Sequence, residues 1–458
     1  MSKPKIDTVA AISTPAGRSA ISLIRVSGPD TFKILKMLFT TGGKKAFPLP
    51  SSAYYGSIIE PETGLVADKC LVTTFLAPKS YTGEDLAEIS THGNPVIVSR
   101  VMQLLLKNGA RAAEAGEFTR RAFLNGKMDL LEVEALSHLL TAGSTSQARM
   151  ALNQLDGLPS QFVARIRERL LTHLVQLEAS LNFPEDAVES IDEHLLAREL
   201  KLILGELRIF AQNARNGNLV AEGLRIVLVG RPNSGKSSLM NYMLGRDRAM
   251  VTEIAGTTRD TLEESVMVGD FQVKIIDTAG LGKPGDRLEA MGIQRTNQAM
   301  AAAFAVIGVF DGSQPANDED YQVLKMLQNL QKPVIVVQNK ADLPEKLEEK
   351  FLAGLAPVRM SALQTTGLPE LVTVIGNLIV QSGIAGLEEM VLLGAQQSVS
   401  LDKALMALDR AEQGIGNLYQ DMLAIDLEEA VRELGRVNGE TVDLNTLDLI
   451  FERFCIGK

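Results

Sequence analysis

At 458 residues the chain exceeds what one ordinary hydrophobic core holds, which implies two or three domains. Hydrophobic residues make up 45% and charged residues 22%, which excludes a disordered or low-complexity chain. With 46 basic against 56 acidic residues the formal net charge is −10, so the chain is no general nucleic-acid coat, and any RNA contact needs a local basic patch or a partner. Two cysteines, Cys70 and Cys455, form neither a disulfide framework nor a metal-binding spacing, as suits a reducing compartment. The opening "MSKPKIDTVAAISTPAGRSA" lacks the apolar centre of a signal peptide, and no stretch approaches the roughly 20 apolar residues of a membrane span. A cytoplasmic protein is the expectation, with no membrane contact.

Residues 1–125 mix short β-branched runs ("AISLIRV", "DKCLVTTF", "AEIS") with Gly/Pro/Ser loops and one helical segment, "NPVIVSRVMQLLLKNG", which predicts an α+β domain. Residues 126–222 turn helical, with Leu170, Leu174, Leu177 and Leu181 on one face, a break at "NFPED", and "ARNGNLVAEG" as a linker. Residues 223–383 alternate buried-strand runs with helical stretches: "LRIVLVG", "QVKIIDT", "AFAVIGVFD", "PVIVVQN" and "APVRMSA". That alternation predicts a mostly parallel sheet covered by helices. Over residues 384–458 the helical period returns with Leu401, Leu405, Leu408, Leu423, Leu427 and Leu434. The fold class is therefore multidomain α/β plus α, in which the economical arrangement is a discontinuous helical domain with the α/β domain inserted; two independent bundles are the alternative.

Directly after "LRIVLV" comes "GRPNSGKSS", which satisfies the phosphate-loop spacing at Gly230, Gly235, Lys236 and Ser237 and opens a helix. Its backbone N–H groups suit phosphates, Lys236 reaches the outer phosphates, and the Ser237 hydroxyl suits Mg²⁺. Asn233, Ser234 and Ser238 belong to the same loop. "DTAG" (Asp277, Thr278, Ala279, Gly280) offers a carboxylate to the outer shell of the Mg²⁺ and an N–H to the γ-phosphate. "NKAD" (Asn339, Lys340, Ala341, Asp342) spaces a carboxylate to accept both guanine N–H donors while the amide bonds the other edge. "SAL" (Ser361, Ala362, Leu363) can give a backbone N–H to the guanine carbonyl. Between them, "TEIAGTT" (Thr252, Glu253, Ile254, Ala255, Gly256, Thr257, Thr258) supplies a threonine, Thr258, to close over Mg²⁺. In this order and spacing the four elements point to a GTP site.

Many GTP hydrolases follow "DTAG" with a glutamine that orients the attacking water, but here Leu281 follows, which has no hydrogen-bonding group. Lys283 and Arg287 read as ordinary loop charges. Asn233 could ligate a monovalent cation beside the phosphates, completed by carbonyls of the "TEIAGT" loop, or be a plain turn residue. Glu289 could position the water, or be a solvated helix residue. His92, His138, His173 and His194 show no ligand spacing.

"GRPNSGKSSLMN", "TEIAGTTRD" and "DTAGLG…LEAMGI" between helical blocks, together with "TPAGRSAISLIRVSG", "YTGEDLAEISTHGNPVI", "AGEFTRRAFLNGKMDLLEVEAL" and the ending "FCIGK", resemble the bacterial tRNA-modification GTPase family MnmE, also called TrmE. The resemblance covers essentially the whole chain. It implies a homodimer whose N-terminal domain binds 5,10-methylene- or 5-formyl-tetrahydrofolate. It also implies a heterotetramer with MnmG, which alone carries FAD, and an aminomethyl-type modification of the wobble uridine of tRNA. Carried over by residue, it makes Asn233 and the carbonyls of Thr252, Ile254 and Thr257 the K⁺ ligands, Ser237 and Thr258 the Mg²⁺ ligands, and Glu289 the catalytic carboxylate. Arg25, Glu88, Lys127 and Lys458 match folate-contacting positions, and Cys455 a cysteine acting in the modification, its other reading being a packed thiol. Family members often carry arginine after the leucine; Gly282 stands there here, so that position receives no role. A ribosome-assembly GTPase and a non-catalytic nucleotide-gated scaffold are the alternatives. The first predicts a basic RNA-binding appendage, the second GTP binding without turnover.

Overall fold

A computed structural model describes residues 7–41, 49, 51–182, 192–247, 263–277, 298–384, 386, 390–416, 420–440, 451, 454, 456 and 457. The chain divides into two compact units, Met1–Ser137 with Leu155–Leu204 and Gln396–Lys458, and His138–Gln154 with Gly205–Ala395. One unit joins the N-terminal strands to helical segments, and the other begins inside a helix.

The first unit carries seven strands: β1 (Val9–Ile12), β2 (Ile21–Ser27), β3 (Phe39–Thr41), β4 (Ser52–Ile59), β5 (Val66–Phe75), β6 (Leu86–His92) and β7 (Arg111–Ala112). They lie in the order β3-β4-β5-β6-β2-β1-β7, antiparallel except β1 with β7. Alternate residues of β2 and β5 are buried, the signature of a sheet covered on one face. Helices Thr31–Leu38 and Pro95–Lys107 supply that cover, placing Phe32, Leu35, Val101 and Leu105 against Ile24, Val72 and Ile89. Asn94 caps the second helix at Val96 N–H, and Pro95 suits its first turn. On the other face Ile21, Tyr55 and Leu71 are exposed.

Elsewhere in this unit the helices Leu158–Asn182 and Gln420–Asn438 bury Leu170, Leu174 and Leu177, and Leu423, Leu427 and Leu434. Leu181, expected on the same stripe, is exposed instead, because the helix ends one residue later. Near the C-terminus, Phe451 and Phe454 pack with Leu130 and Val133. Ile456 bridges to Ala115 and the Ser13 hydroxyl donates to the Gly457 carbonyl at 2.9 Å.

The second unit holds β8 (Leu224–Val229), β9 (Glu263–Val268), β10 (Phe271–Asp277), β11 (Ala305–Asp311), β12 (Val334–Asn339) and β13 (Val358–Arg359), in the order β13-β12-β11-β8-β10-β9. All pairs are parallel except β9 with β10. Every residue of β11 is buried, which explains why these strands read as unbroken apolar runs. Strand order reverses at β8, with β11 on one side and β10 on the other, so a crevice opens at its carboxyl end, where α/β sheets bind ligands.

The stretch "ARNGNLVAEG", expected as a linker, is helical: helix Glu193–Glu222 runs through it. Tertiary pairing overrides its weak propensity. Asn218 Nδ2 donates to the Leu393 carbonyl at 2.9 Å while its Oδ1 accepts from the Leu393 N–H at 3.1 Å. Gln154 does the same for Leu392, at 3.0 and 2.6 Å. Gly217 leaves room for the Val391 carbonyl, which a Cβ there would strike. Two side-chain amides thus satisfy two successive buried peptides of Met390–Leu393.

Candidate nucleotide-binding site

The phosphate loop leaves β8 at Gly230, where a Cβ would strike the Val309 carbonyl. It then turns through Asn233, an exposed residue at φ 62° that asparagine tolerates better than most, and Gly235 at φ 98°. A Cβ on Gly235 would strike the Asn339 amide, so glycine is needed for the loop to approach β12. Helix Lys236–Asp247 follows, its first N–H groups free for an anion.

Lys236 is buried, and its Nζ donates to the carbonyls of Gly230 and Arg231 at 2.7 and 2.8 Å. Burial lowers its pKa from the ordinary lysine value, and the nearby Asp277 and Glu319 carboxylates oppose that shift. The Ser237 hydroxyl donates to Asp277 Oδ2 at 2.7 Å, bringing together a hydroxyl from the loop and a carboxylate from the end of β10. Among the described residues the buried Ser234 hydroxyl has no hydrogen-bond partner, an orphan polar atom inside the loop. Ser238 lies exposed on the helix's first turn.

At the end of β12, Lys340 takes φ 65° and Asp342 accepts a hydrogen bond from the Ser361 hydroxyl at 2.5 Å. The Gln364 N–H donates to that hydroxyl at 3.0 Å, and Leu363 is exposed beside it. The Asn339 amide is also engaged within the protein. Its Nδ2 donates to the Ser234 carbonyl at 3.0 Å and its Oδ1 accepts from the Ala362 N–H at 3.1 Å. Asn339 therefore ties the phosphate loop to the "SAL" loop. Ala341 N–H donates to the Met360 carbonyl at 3.0 Å, completing the turn.

Sequence reading missed the neighbours of this turn. Asp311, ending β11, accepts Lys340 Nζ at 2.7 Å and both the N–H and hydroxyl of Ser313 at 3.0 and 2.6 Å. Burial pushes the Asp311 carboxyl up, but Lys340 and Ser313 outweigh it and hold it below the usual carboxylate range. Arg231 of the phosphate loop lies 3.7 Å from Asp311 and 3.3 Å from Asp320. The available signal was a strand "AVIGVFD" closing on a carboxylate, as "QVKIID" does.

In the N-terminal sheet Arg25 and Glu88 face each other across β2 and β6, with Arg25 Nε and Nη2 at 3.1 and 2.7 Å from Glu88 Oε1. The guanidinium lies 5.1 Å from the Tyr81 ring and 5.5 Å from that of Phe118. Lys127 Nζ donates to the Pro78 carbonyl at 3.2 Å, in the loop that carries Tyr81. Thr252, Glu253, Ile254, Ala255, Gly256, Thr257, Thr258, Thr278, Ala279, Gly280, Glu289, Cys455 and Lys458 lie outside the described residues. Cys70 is buried, which pushes its thiol up to about 12. His92 Nδ1 lies 2.7 Å from Asp68, and burial lowers the pKa of His138. Among the described residues no three His, Cys, Asp or Glu side chains group as a metal site, and no helix is long and apolar enough to cross a membrane.

Residues 8–127 match the family described as GTP-binding protein TrmE N-terminus, and residues 130–455 match the MnmE helical domain. A Natranaerobius thermophilus protein named tRNA modification GTPase MnmE is 40% identical over 457 residues, covering 99% of both chains. Proteins of the same name from Lactiplantibacillus plantarum and Acetivibrio thermocellus are 38% and 36% identical, covering 99% of this chain and 99% and 100% of theirs. Likeness of this kind from one end to the other, through both family domains, makes the chain a member of the tRNA modification GTPase MnmE family.

Proposed function

We propose that the chain is a potassium-activated GTP hydrolase that, as a homodimer with the FAD-carrying partner MnmG, modifies the wobble uridine of tRNA using one-carbon tetrahydrofolate. The observation that supports the GTPase part is convergence at the carboxyl edge of one parallel sheet. The phosphate loop, Asp277 and the Asn339–Asp342 turn end three of its strands on the same side. A triphosphate entering there would take the Lys236 ammonium from the Gly230 and Arg231 carbonyls, and would meet the helix N-terminus.

The Ser237 hydroxyl is a hard oxygen donor that fits Mg²⁺ together with Thr258, and Asp277, hydrogen-bonded to it at 2.7 Å, fits the outer shell of that ion. Asn233 fits K⁺ through its amide oxygen, with the carbonyls of Thr252, Ile254 and Thr257 as companions, while Glu289 positions the water. Bound there, the two cations supply positive charge against the charge developing on the transferred phosphoryl group. GTP turnover by the full chain in potassium is expected to exceed that in sodium at equal ionic strength by at least about tenfold. Equal rates would remove the cation from the mechanism.

Within the N-terminal 1–125 segment, the Arg25–Glu88 pair supports the folate reading. A guanidinium between two rings suits a planar ligand bearing carboxylates, and Glu88 suits the donor edge of a pterin. The exposed face bearing Ile21, Tyr55 and Leu71 supports pairing of two copies. Arg25→Ala should weaken binding of 5-formyl-tetrahydrofolate about tenfold or more in calorimetry, the loss of a charged hydrogen-bonding group. Unchanged affinity would move the folate site elsewhere.

A further inference from the structure

We propose that Asp311 is a positioning residue for guanine recognition: it aims the base-reading carboxylate of Asp342 by anchoring Lys340 to the end of β11. The inference rests on the GTP reading above but concerns a residue outside the nucleotide motifs.

Three observations carry it. First, Lys340 holds a left-handed backbone conformation at φ 65°, which costs a non-glycine residue and persists only where surroundings enforce it. Beside the backbone bonds of the Ala341 and Leu343 N–H groups, its surroundings include the ion pair of its Nζ with Asp311 Oδ2 at 2.7 Å, on a carboxylate only 5% exposed. Second, the neighbours of Asp311 grip the same turn through the backbone. Gly312 N–H donates to the Asn339 carbonyl at 2.9 Å, and Ser313 occupies the other Asp311 oxygen through its N–H and hydroxyl. With Oδ1 fixed by Ser313 and Oδ2 by Lys340, the carboxylate cannot rotate without losing a bond. Third, both ends of the turn are held as well, Asn339 by Ser234 and Ala362 and Asp342 by the Ser361 hydroxyl. Asp311 thus holds the middle of a turn whose ends are tied to other elements, and Asp342 stands two residues beyond the anchored Lys340.

The same carboxylate lies 3.7 Å from Arg231, whose Nε sits 3.3 Å from Asp320, the residue that closes the capping box with Asn317. Arg231 is therefore balanced by two carboxylates, and the link ties the phosphate loop to the base-reading turn.

The test uses the full chain and equilibrium binding of GTP, ITP and ATP. ITP lacks the 2-amino group, so the GTP/ITP affinity ratio reports how well Asp342 is aimed. Wild-type protein that failed to prefer GTP over ATP would overturn the GTP reading itself, separately from this inference. Asp311→Asn keeps the shape and removes the charge; GTP affinity should fall about tenfold, with the GTP/ITP ratio dropping severalfold, while kcat at saturating GTP stays within about a factor of two. A general loss of stability would weaken GTP and ITP binding equally, so equal losses, or an unchanged ratio, overturn the proposal. Should Asp311→Asn not fold, Ser313→Ala removes one of the two donors to Oδ1, leaving the backbone N–H, and must shift the ratio in the same direction by a smaller factor; no shift overturns it.

Discussion

Lys236→Ala is expected to lower kcat/KM for GTP by about 10³-fold, the scale at which a single preorganised charge acts in phosphoryl transfer. Lys236 is 6% exposed and is already held by two loop carbonyls. An incoming phosphate would take it from those carbonyls, and its burial in the loop is what makes one charge count for so much. Burial lowers its pKa, but Asp277 and Glu319 oppose the shift and help keep the ammonium charged in the fold. The variant leaves the Gly230 and Arg231 carbonyls short of a donor, at a cost to stability of about 1–3 kcal/mol. Phosphate release at saturating GTP, with thermal unfolding run beside it, separates the two effects. A folded variant with near wild-type turnover would mean that the phosphate sits elsewhere.

Asp342→Asn should reduce GTP affinity by about 100-fold and admit xanthosine triphosphate instead, because a polar site rejects the base whose pattern it no longer matches. Guanine offers two donors to an acceptor-only carboxylate. Xanthine offers one donor and one acceptor, which a carboxamide matches. The geometry favours a clean exchange: Ser361 donates to Asp342 Oδ1 at 2.5 Å and itself accepts from the Gln364 N–H, a chain that an amide oxygen can continue. Competition binding with the two triphosphates checks it. If xanthosine triphosphate does not gain, Asp342 does not read the base.

What the sequence made legible was mostly local. "GRPNSGKSS" declares itself because its glycines answer close contacts, with Val309 at Gly230 and Asn339 at Gly235. The five parallel strands were readable as buried runs, whereas β9, an edge strand with charged Glu263 and Glu264, was not. Short helices such as Thr31–Leu38 and Glu117–Leu124 went unread between strands, since two turns carry little periodicity. The harder losses were long-range. Nothing near Asp311 announces Lys340, and nothing near Arg25 announces a register pair with Glu88, since register is set by the whole sheet. The internal bonds of the Asn339 amide, to the Ser234 carbonyl and the Ala362 N–H, were likewise not readable from its motif.

Among the described residues no strand pairs with Leu392 and Leu393, yet Gln154 and Asn218 meet those two peptides as a strand would. This fixes an address along the chain. A slip of a single residue at Leu392 would offer each amide the wrong partner and strand both buried peptides at once. Shortening Gln154 by one methylene would have a similar effect on Leu392. A passage that resembles a tether in composition is thus held to length as strictly as any core strand.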